Sequence, residues 1–178
     1  MRALCEAMAA DDFPAEPVLV LSNRPEAAGL AYAESAGIPR KIIDHKSFNT
    51  RDAFDHALDT ALSDANPDVV CLAGFMRLLT PGFVNKWAGK LINIHPSLLP
   101  KYPGLNTHQR ALDAGDSEAG CTVHYVVPEM DAGGIIGQAH VPILPGDTAG
   151  TLDARVREAE HVLYKECLRK LVTQSAAD

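Results

Sequence analysis

The sequence has few cysteines and no long apolar run. Its 178 residues include four cysteines, which stand far apart without CxxC spacing. Reduced, small apolar side chains therefore explain them better than a disulfide framework or a zinc site. No stretch approaches the roughly 18 apolar residues that a membrane span needs, and the first residues lack the apolar core of a secretory signal. We expect a cytosolic protein that does not enter a membrane.

Positive charge is also scarce, with 16 Lys and Arg against 23 Asp and Glu and a net charge of -7. A chain of this charge lacks the basic face of nucleic-acid-binding proteins, although a small anionic ligand would need only a few local donors. The GxxxxGK[ST], GxGxxG and GxSxG strings are absent, which disfavours NTPases, nicotinamide-dependent enzymes and serine hydrolases. The histidines show no metal-binding spacing, so we expect no metal.

Short apolar runs alternate with helical patterns in the first half of the chain. Strands are predicted at residues 18–21, 40–43, 69–73 and 90–95. The first is followed by a predicted helix with Pro25 near its start and Gly37 at its end. The uninterrupted apolar run 69–73 is typical of a strand covered on both faces of a parallel sheet.

The second half predicts strands at 120–127 and 137–144 and a helix over 148–172. Together these patterns predict an α/β fold with a doubly wound, mostly parallel sheet and a mixed edge. No linker divides the chain, so we expect one domain over 1–178 with a frayed tail at 173–178. Residues 1–9 are helix-like and no strand precedes them.

Asn93 and His95 form the most informative pair in the sequence. Side chains alternate along a strand, so both project to one face, and Pro96 ends the strand just after them. Ligands gather at the carboxyl ends of parallel strands. An amide donor beside an imidazole suits acyl transfer, because the first can bind an oxyanion and the second can move a proton. A structural histidine beside a turn-forming asparagine is the alternative.

Two loops could complete such a site. Asp131 precedes Gly133 and Gly134, and a carboxylate near His95 would orient the ring and stabilise its protonated form. An ordinary turn residue is the alternative for Asp131. The backbone of residues 74–79 could hold a flat heteroaromatic group, or its leucines could belong to the core. We expect the turn at 101–104 to be a solvated loop.

Several segments together resemble phosphoribosylglycinamide formyltransferase, the folate-dependent enzyme of purine synthesis. The longest is residues 93–108, and shorter ones are 21–25 (LSNRP), 72–77 (LAGFMR), 130–134 (MDAGG) and the pair at 160–161. The resemblance runs from Met1 to about Leu171 and implies the Rossmann-like formyltransferase fold. It also implies direct attack of an amine on a formyl carbon, without a covalent enzyme intermediate.

The resemblance implies a role for each matched residue. His95 would be the catalytic acid, Asp131 would tune it, and Asn93 would polarise the formyl group. The co-substrate 10-formyltetrahydrofolate would be bound by Arg51, Met76, Arg77, Leu78, Leu79 and Asn93. Glu160 would face the ribose hydroxyls of the second substrate, glycinamide ribonucleotide. No metal is implied, and a homodimer is one option that the sequence leaves open.

The sequence departs from the family pattern in two places. In the family, a strand and a Gly-Ser-rich turn that holds the substrate phosphate precede the residues matched by 1–4, and the present sequence has neither. We expect the natural chain to begin upstream of Met1, because a sheet without a central strand would expose apolar faces and unpaired backbone groups. A truncated protein with a weak nucleotide site is the alternative. Asn106 replaces a histidine of many relatives, so it is given no role.

Other functions remain open on the sequence alone. Methionyl-tRNA formyltransferase and formyltetrahydrofolate hydrolase share the same constellation, but each usually carries a further domain for which 178 residues leave no room. A catalytically silent folate-binding or partner-binding module is the alternative from outside the enzymes. Transfer of formyl to glycinamide ribonucleotide would distinguish the enzyme from the silent module.

Overall fold

Residues 1–175 are described by a computed structural model with six α-helices and six strands, which alternate along the chain up to β5. The helices are α1 Arg2–Met8, α2 Ala28–Ser35, α3 Arg51–Ala65, α4 Pro81–Lys86, α5 Thr107–Asp113 and α6 Ala149–Ser175. The strands are β1 Val20–Ser22, β2 Arg40–Ile42, β3 Val70–Leu72, β4 Leu91–His95, β5 Glu118–Tyr125 and β6 Ile135–Pro142. A short 3₁₀ turn, His45–Ser47, precedes α3.

The strands form two sheets. β1 pairs with β2 in parallel, and the second sheet has the order β3-β4-β5-β6, with β3 and β4 parallel and β5 and β6 antiparallel. The α/β class and the mixed edge are therefore confirmed. The single continuous sheet is not observed, because no strand within residues 1–175 is hydrogen-bonded to both β1 and β3.

Strand β3 is less covered than its sequence predicted. Its residues Val70, Cys71 and Leu72 are all only partly buried. Both faces of the strand nevertheless contact apolar side chains, because Cys71 packs against the cluster that includes α6 and Val70 and Leu72 pack against the cluster that includes α3. The expected cover on both faces is therefore present but incomplete.

Local side-chain bonds set the ends of the early helices. The Thr50 hydroxyl accepts a hydrogen bond from the Ala53 N–H at 3.1 Å and so caps the start of α3. Helix α2 begins at Ala28, so the prediction that placed Pro25 near its start is wrong. The Ser22 hydroxyl accepts from the Arg24 N–H at 3.1 Å, which folds this segment into a turn before the helix.

Helix α6 closes the main core. Leu152 and Val156 are fully buried, and Leu163 and Cys167 continue the same stripe against β5 and β6. The helix runs to Ser175, so residues 173–175 of the expected tail are helical, and 176–178 lie outside the described residues. Strands β5 and β6 each begin and end two residues earlier than predicted.

The four cysteines are free thiols inside or at the edge of this core. Burial raises the pKa of the Cys121 thiol to about 12, which keeps it protonated and unreactive. This fits their predicted role as small apolar side chains. No helix among residues 1–175 is long and apolar enough to cross a membrane.

Candidate active site

The end of β4 and the facing part of β5 bring four polar side chains together. β5 runs antiparallel to β4, with His124 opposite Asn93 and Thr122 opposite His95. Side chains of directly opposed residues share one face of the sheet. The predicted pair on β4 therefore has two neighbours that come from a strand about thirty residues later.

His95 is held between two hydrogen-bond acceptors. Its Nδ1 lies 3.5 Å from Oδ2 of Asp131, and its Nε2 lies 2.9 Å from the carbonyl oxygen of Tyr102. A carbonyl can only accept, so the Nε2 nitrogen carries the proton of that bond. The residue is only 6% exposed, so the ring is fixed in orientation and largely shielded from water.

Asp131 reaches His95 from the loop between β5 and β6. Its backbone has a φ of 53°, in the left-handed region that aspartate tolerates better than most residues. The Gly104 N–H donates to Oδ2 of this carboxylate at 2.8 Å, and Oδ1 lies 3.8 Å from Nε2 of His124. The structure thus brings together all three residues predicted to be catalytic.

The turn at 101–104, which contacts His95, is held in place by bonds to Asp116. The Tyr102 hydroxyl donates to Asp116 at 2.8 Å, and the Lys101 ammonium lies 3.0 Å from each oxygen of the same carboxylate. The bond from Lys101, and to a smaller extent that from Tyr102, lowers the pKa of Asp116. The expectation of a solvated turn holds for the Lys101 side chain and is wrong for Tyr102, because the carbonyl of Tyr102 contacts the buried imidazole.

Residues 75–79 rest on the first turns of α3. The Phe75 ring stacks parallel to Phe54 with centroids 6.5 Å apart, and the Arg77 guanidinium lies 5.6 Å from the same ring. Leu79 packs partly buried against this cluster, as the core interpretation expects. Met76 and Leu78 are 75% and 55% exposed, so the segment presents apolar side chains that only a ligand or partner could cover.

A buried carboxylate anchors the end of that segment. Asp55 on α3 is 3% exposed, and its Oδ2 accepts from the Thr80 N–H at 2.6 Å. The Thr80 hydroxyl in turn accepts from the Phe83 N–H and so begins α4. Arg51, the other predicted folate contact, is exposed at the first turn of α3.

Glu160 lies elsewhere, on α6. The residue is partly buried, and this burial is the main reason why the pKa of its carboxyl is raised. The negative charge of Asp153 raises the pKa further, whereas the positive charges of Arg157 and the Met1 amino group lower it. The neighbouring His161 lines an open cleft of about 460 Å³ together with Arg2, Glu6 and Gly29. The structure does not bring Glu160 into contact with the cluster around His95.

Sequence reasoning missed two groups at the site, the imidazole of His124 and the carbonyl of Tyr102. Thr122 and His124 alternate along β5 in the same way as Asn93 and His95 along β4. This alternation in the sequence could have indicated that Thr122 and His124 share one face of β5. The register that places them opposite Asn93 and His95 depends on strand pairing, which local sequence does not show. Within the part of the chain that is described, no group of three or more His, Cys, Asp or Glu side chains could hold a metal ion.

The sequence profile of the formyl transferase family matches residues 1–168. The chain belongs to this family. Phosphoribosylglycinamide formyltransferase of Haemophilus influenzae is 45% identical over 164 residues, which are 92% of this chain and 77% of that protein. These matches confirm the resemblance inferred from residues 93–108.

Two further comparisons place this formyl transferase among larger and solved relatives. The trifunctional purine biosynthetic protein adenosine-3 of Drosophila melanogaster is 48% identical over 178 residues, 99% of this chain but only 13% of that protein. The crystal structure of phosphoribosylglycinamide formyltransferase from Brucella melitensis is 53% identical, with a TM-score of 0.92 over 97% of this chain and 88% of that one. The mixed α/β fold is the fold of these enzymes.

The geometry of this formyl transferase suits acyl-group chemistry. Asn93 is only partly buried, and its amide has donor capacity left after one contact with His124. An N–H aimed at a carbonyl stabilises the negative charge that develops on the oxygen during attack. Beside it, His95 holds a proton within a carboxylate-oriented ring. The cluster therefore offers an oxyanion donor and a proton carrier around one position.

Proposed function

We propose that this formyl transferase moves the formyl group of 10-formyltetrahydrofolate to the amine of 5′-phosphoribosylglycinamide in purine synthesis. The observation that carries the proposal is the His95–Asp131 pair, 3.5 Å apart at the carboxyl end of β4, with the Asn93 amide on the same strand. Support also comes from family membership and from relatives of that name at 45% and 53% identity.

Asn93 and His95 divide the chemistry between them. The substrate amine forms a bond to the formyl carbon, and the bond from that carbon to N10 of the folate then breaks. Asn93 donates an N–H to the formyl oxygen while it carries negative charge, and His95 moves the proton that leaves the amine and must reach N10. Asp131 keeps the His95 ring oriented. The enzyme forms no covalent intermediate.

One hydrogen bond must change during this reaction. The Nε2 proton of His95 is directed at the Tyr102 carbonyl, and the other ring nitrogen faces Asp131. For the ring to donate to the reactants, the bond to Tyr102 must be exchanged for one to the substrate. The exchange requires a backbone movement of the 101–104 turn, because the carbonyl and not the side chain of Tyr102 makes this contact.

The two substrates would bind on either side of the cluster. The exposed Met76 and Leu78 and the backbone up to Leu79 would hold the pterin, with Arg77, Asn93 and the more distant Arg51 as polar contacts. Glu160 on α6 would accept hydrogen bonds from the ribose hydroxyls of the second substrate. A cytosolic location and a homodimer stay predictions.

A reconstituted assay tests the proposal. Purified protein is mixed with 10-formyltetrahydrofolate and phosphoribosylglycinamide, and the formylated nucleotide is followed by mass spectrometry. We expect product to form only with both substrates present. Loss of formyl from the folate without the nucleotide would indicate a hydrolase instead. Folate binding by calorimetry without any transfer would indicate a silent binding module.

A further inference from the structure

His124 is a buried histidine whose position next to Asn93 has a chemical consequence. His124 lies on β5 directly opposite Asn93, and the residue is 2% exposed. Such a ring cannot exchange hydrogen bonds with water, so its partners in the protein decide which nitrogen carries the proton.

The Nδ1 nitrogen of His124 carries a proton. It lies 2.9 Å from the carbonyl oxygen of Tyr125, and that oxygen can only accept a hydrogen bond. The Nδ1–H group is therefore the donor of this contact. In a neutral ring the other nitrogen, Nε2, then has a lone pair and no proton.

The surroundings of His124 favour the neutral ring. Burial lowers the pKa of His124, and the nearby His95 acts in the same direction. The Tyr125 carbonyl and the Asp131 carboxylate, 3.8 Å from Nε2, act in the opposite direction but are outweighed by burial. At neutral pH the Nε2 nitrogen is thus an acceptor.

This acceptor fixes the orientation of the Asn93 amide. The Asn93 Nδ2 group lies 3.3 Å from Nε2 of His124 and donates one N–H to it. A flipped amide would point its oxygen at a lone pair, with two acceptors facing each other. The second N–H of Asn93 has no hydrogen-bond partner among residues 1–175 and is free to bind a ligand.

We propose that His124 is a positioning residue for formyl transfer, because it holds the Asn93 amide with its remaining N–H available to the formyl oxygen. The inference rests on the proposed function of Asn93. In this role His124 accepts a hydrogen bond from the Asn93 amide and contacts neither substrate.

A double-mutant cycle separates this role from a merely structural one. We expect His124→Leu to lower kcat on the order of tenfold or more with little change in KM, because a misplaced oxyanion donor affects the transition state. His124→Gln should recover part of the rate, since its side-chain oxygen can accept from Asn93. In an Asn93→Ala background, His124→Leu should have almost no further effect on kcat.

The outcomes distinguish failure of the inference from failure of the proposed function. If Asn93→Ala keeps the parental kcat, the proposed role of Asn93 is wrong. If Asn93→Ala is slow but His124→Leu is not, or if the two losses multiply, the positioning role is wrong. His140→Leu is the matched control, because this histidine lies on the neighbouring β6 with its side chain 58% exposed, and it should retain the parental rate.

A spectroscopic measurement tests the same inference without any substitution. In protein labelled with ¹⁵N-histidine, long-range proton–nitrogen correlations report which ring nitrogen is protonated. We expect His124 to show the Nδ1–H form at pH 7. A proton on Nε2, or on both nitrogens, would overturn the inference even if every His124 variant failed to fold.

Discussion

The two ring nitrogens of His95 both face hydrogen-bond acceptors, Asp131 and the Tyr102 carbonyl. Alanine at this position would lose both contacts. We expect His95→Ala to lower kcat about a hundredfold or more, because the proton carrier is lost. The fold should survive, since Asp131 keeps its bond from the Gly104 N–H. Steady-state kinetics and circular dichroism check both statements. Turnover within about threefold of the parent would remove His95 from the mechanism.

Asp131 can be tested by a change that keeps its shape. Asp131→Asn retains an oxygen for the Gly104 N–H but removes the negative charge that faces His95. We expect kcat to fall on the order of tenfold or more, with KM for both substrates nearly unchanged. Asp131→Ala should be slower still and less stable, since alanine tolerates the φ of 53° less well than aspartate or asparagine. A parental kcat in the asparagine variant would contradict the role.

Single residues of the site were predictable where the signal was local. Asn93 and His95 are separated by one residue on a strand that ends before Pro96, and Asp131 is followed closely by two glycines. Their convergence depends on the β4–β5 register and on the left-handed backbone of Asp131, which bring together atoms that lie far apart in the chain. His124 was missed for the same reason, because its partner Asn93 is 31 residues away.

The connection between β3 and α4 has an anchor that can be tested separately from the chemistry. Asp55 on α3 holds the Thr80 N–H, while Met76 and Leu78 extend away from the core. We expect Asp55→Ala to raise KM for the folate several-fold and to change kcat less, because the segment would lose its fixed position but the cluster at β4 would not.

The control for this variant is Asp52→Ala, an exposed acid on the first turn of the same helix. It should leave both constants near the parental values. A kcat loss in Asp55→Ala as large as in His95→Ala, with KM unchanged, would show that the anchor serves the chemistry and not the folate.

Helices and strands were predictable to different degrees. The helix predicted over 148–172 corresponds to α6, which the structure places at Ala149–Ser175. The start of α2 was predicted wrongly because Ser22 closes a turn around Arg24, and turns of this kind compete with helix caps for the same residue types.

In the whole molecule, the division into two sheets is the feature that local patterns could not reveal. Each β-α unit follows from its own apolar run, but the order of strands depends on which backbone edges meet. The Tyr164 hydroxyl of α6 lies 2.9 Å from the carbonyl of Leu72 in β3 and 3.2 Å from that of Ile92 in β4. The final helix thus fixes the second sheet on which the catalytic cluster is built.

Glu160 links the stability of the molecule to its proposed substrate. Burial raises the pKa of its carboxyl, so ionisation of this group costs free energy in the folded state. A carboxyl with a raised folded pKa contributes most stability below its unfolded pKa of about 4.3, and this contribution is lost as the pH rises through the folded value. A neutral side chain of the same shape would avoid the loss.

We therefore expect Glu160→Gln to raise Tm at pH 7, with the gain shrinking to nothing as the pH falls below about 4. The same change should raise KM for phosphoribosylglycinamide about tenfold, because a charged acceptor for the ribose hydroxyls is lost. Thermal unfolding across pH and steady-state kinetics measure the two effects. Glu166→Gln, exposed on the same helix, should show neither. A gain in Tm with an unchanged KM would mean that the buried charge of Glu160 does not serve this substrate.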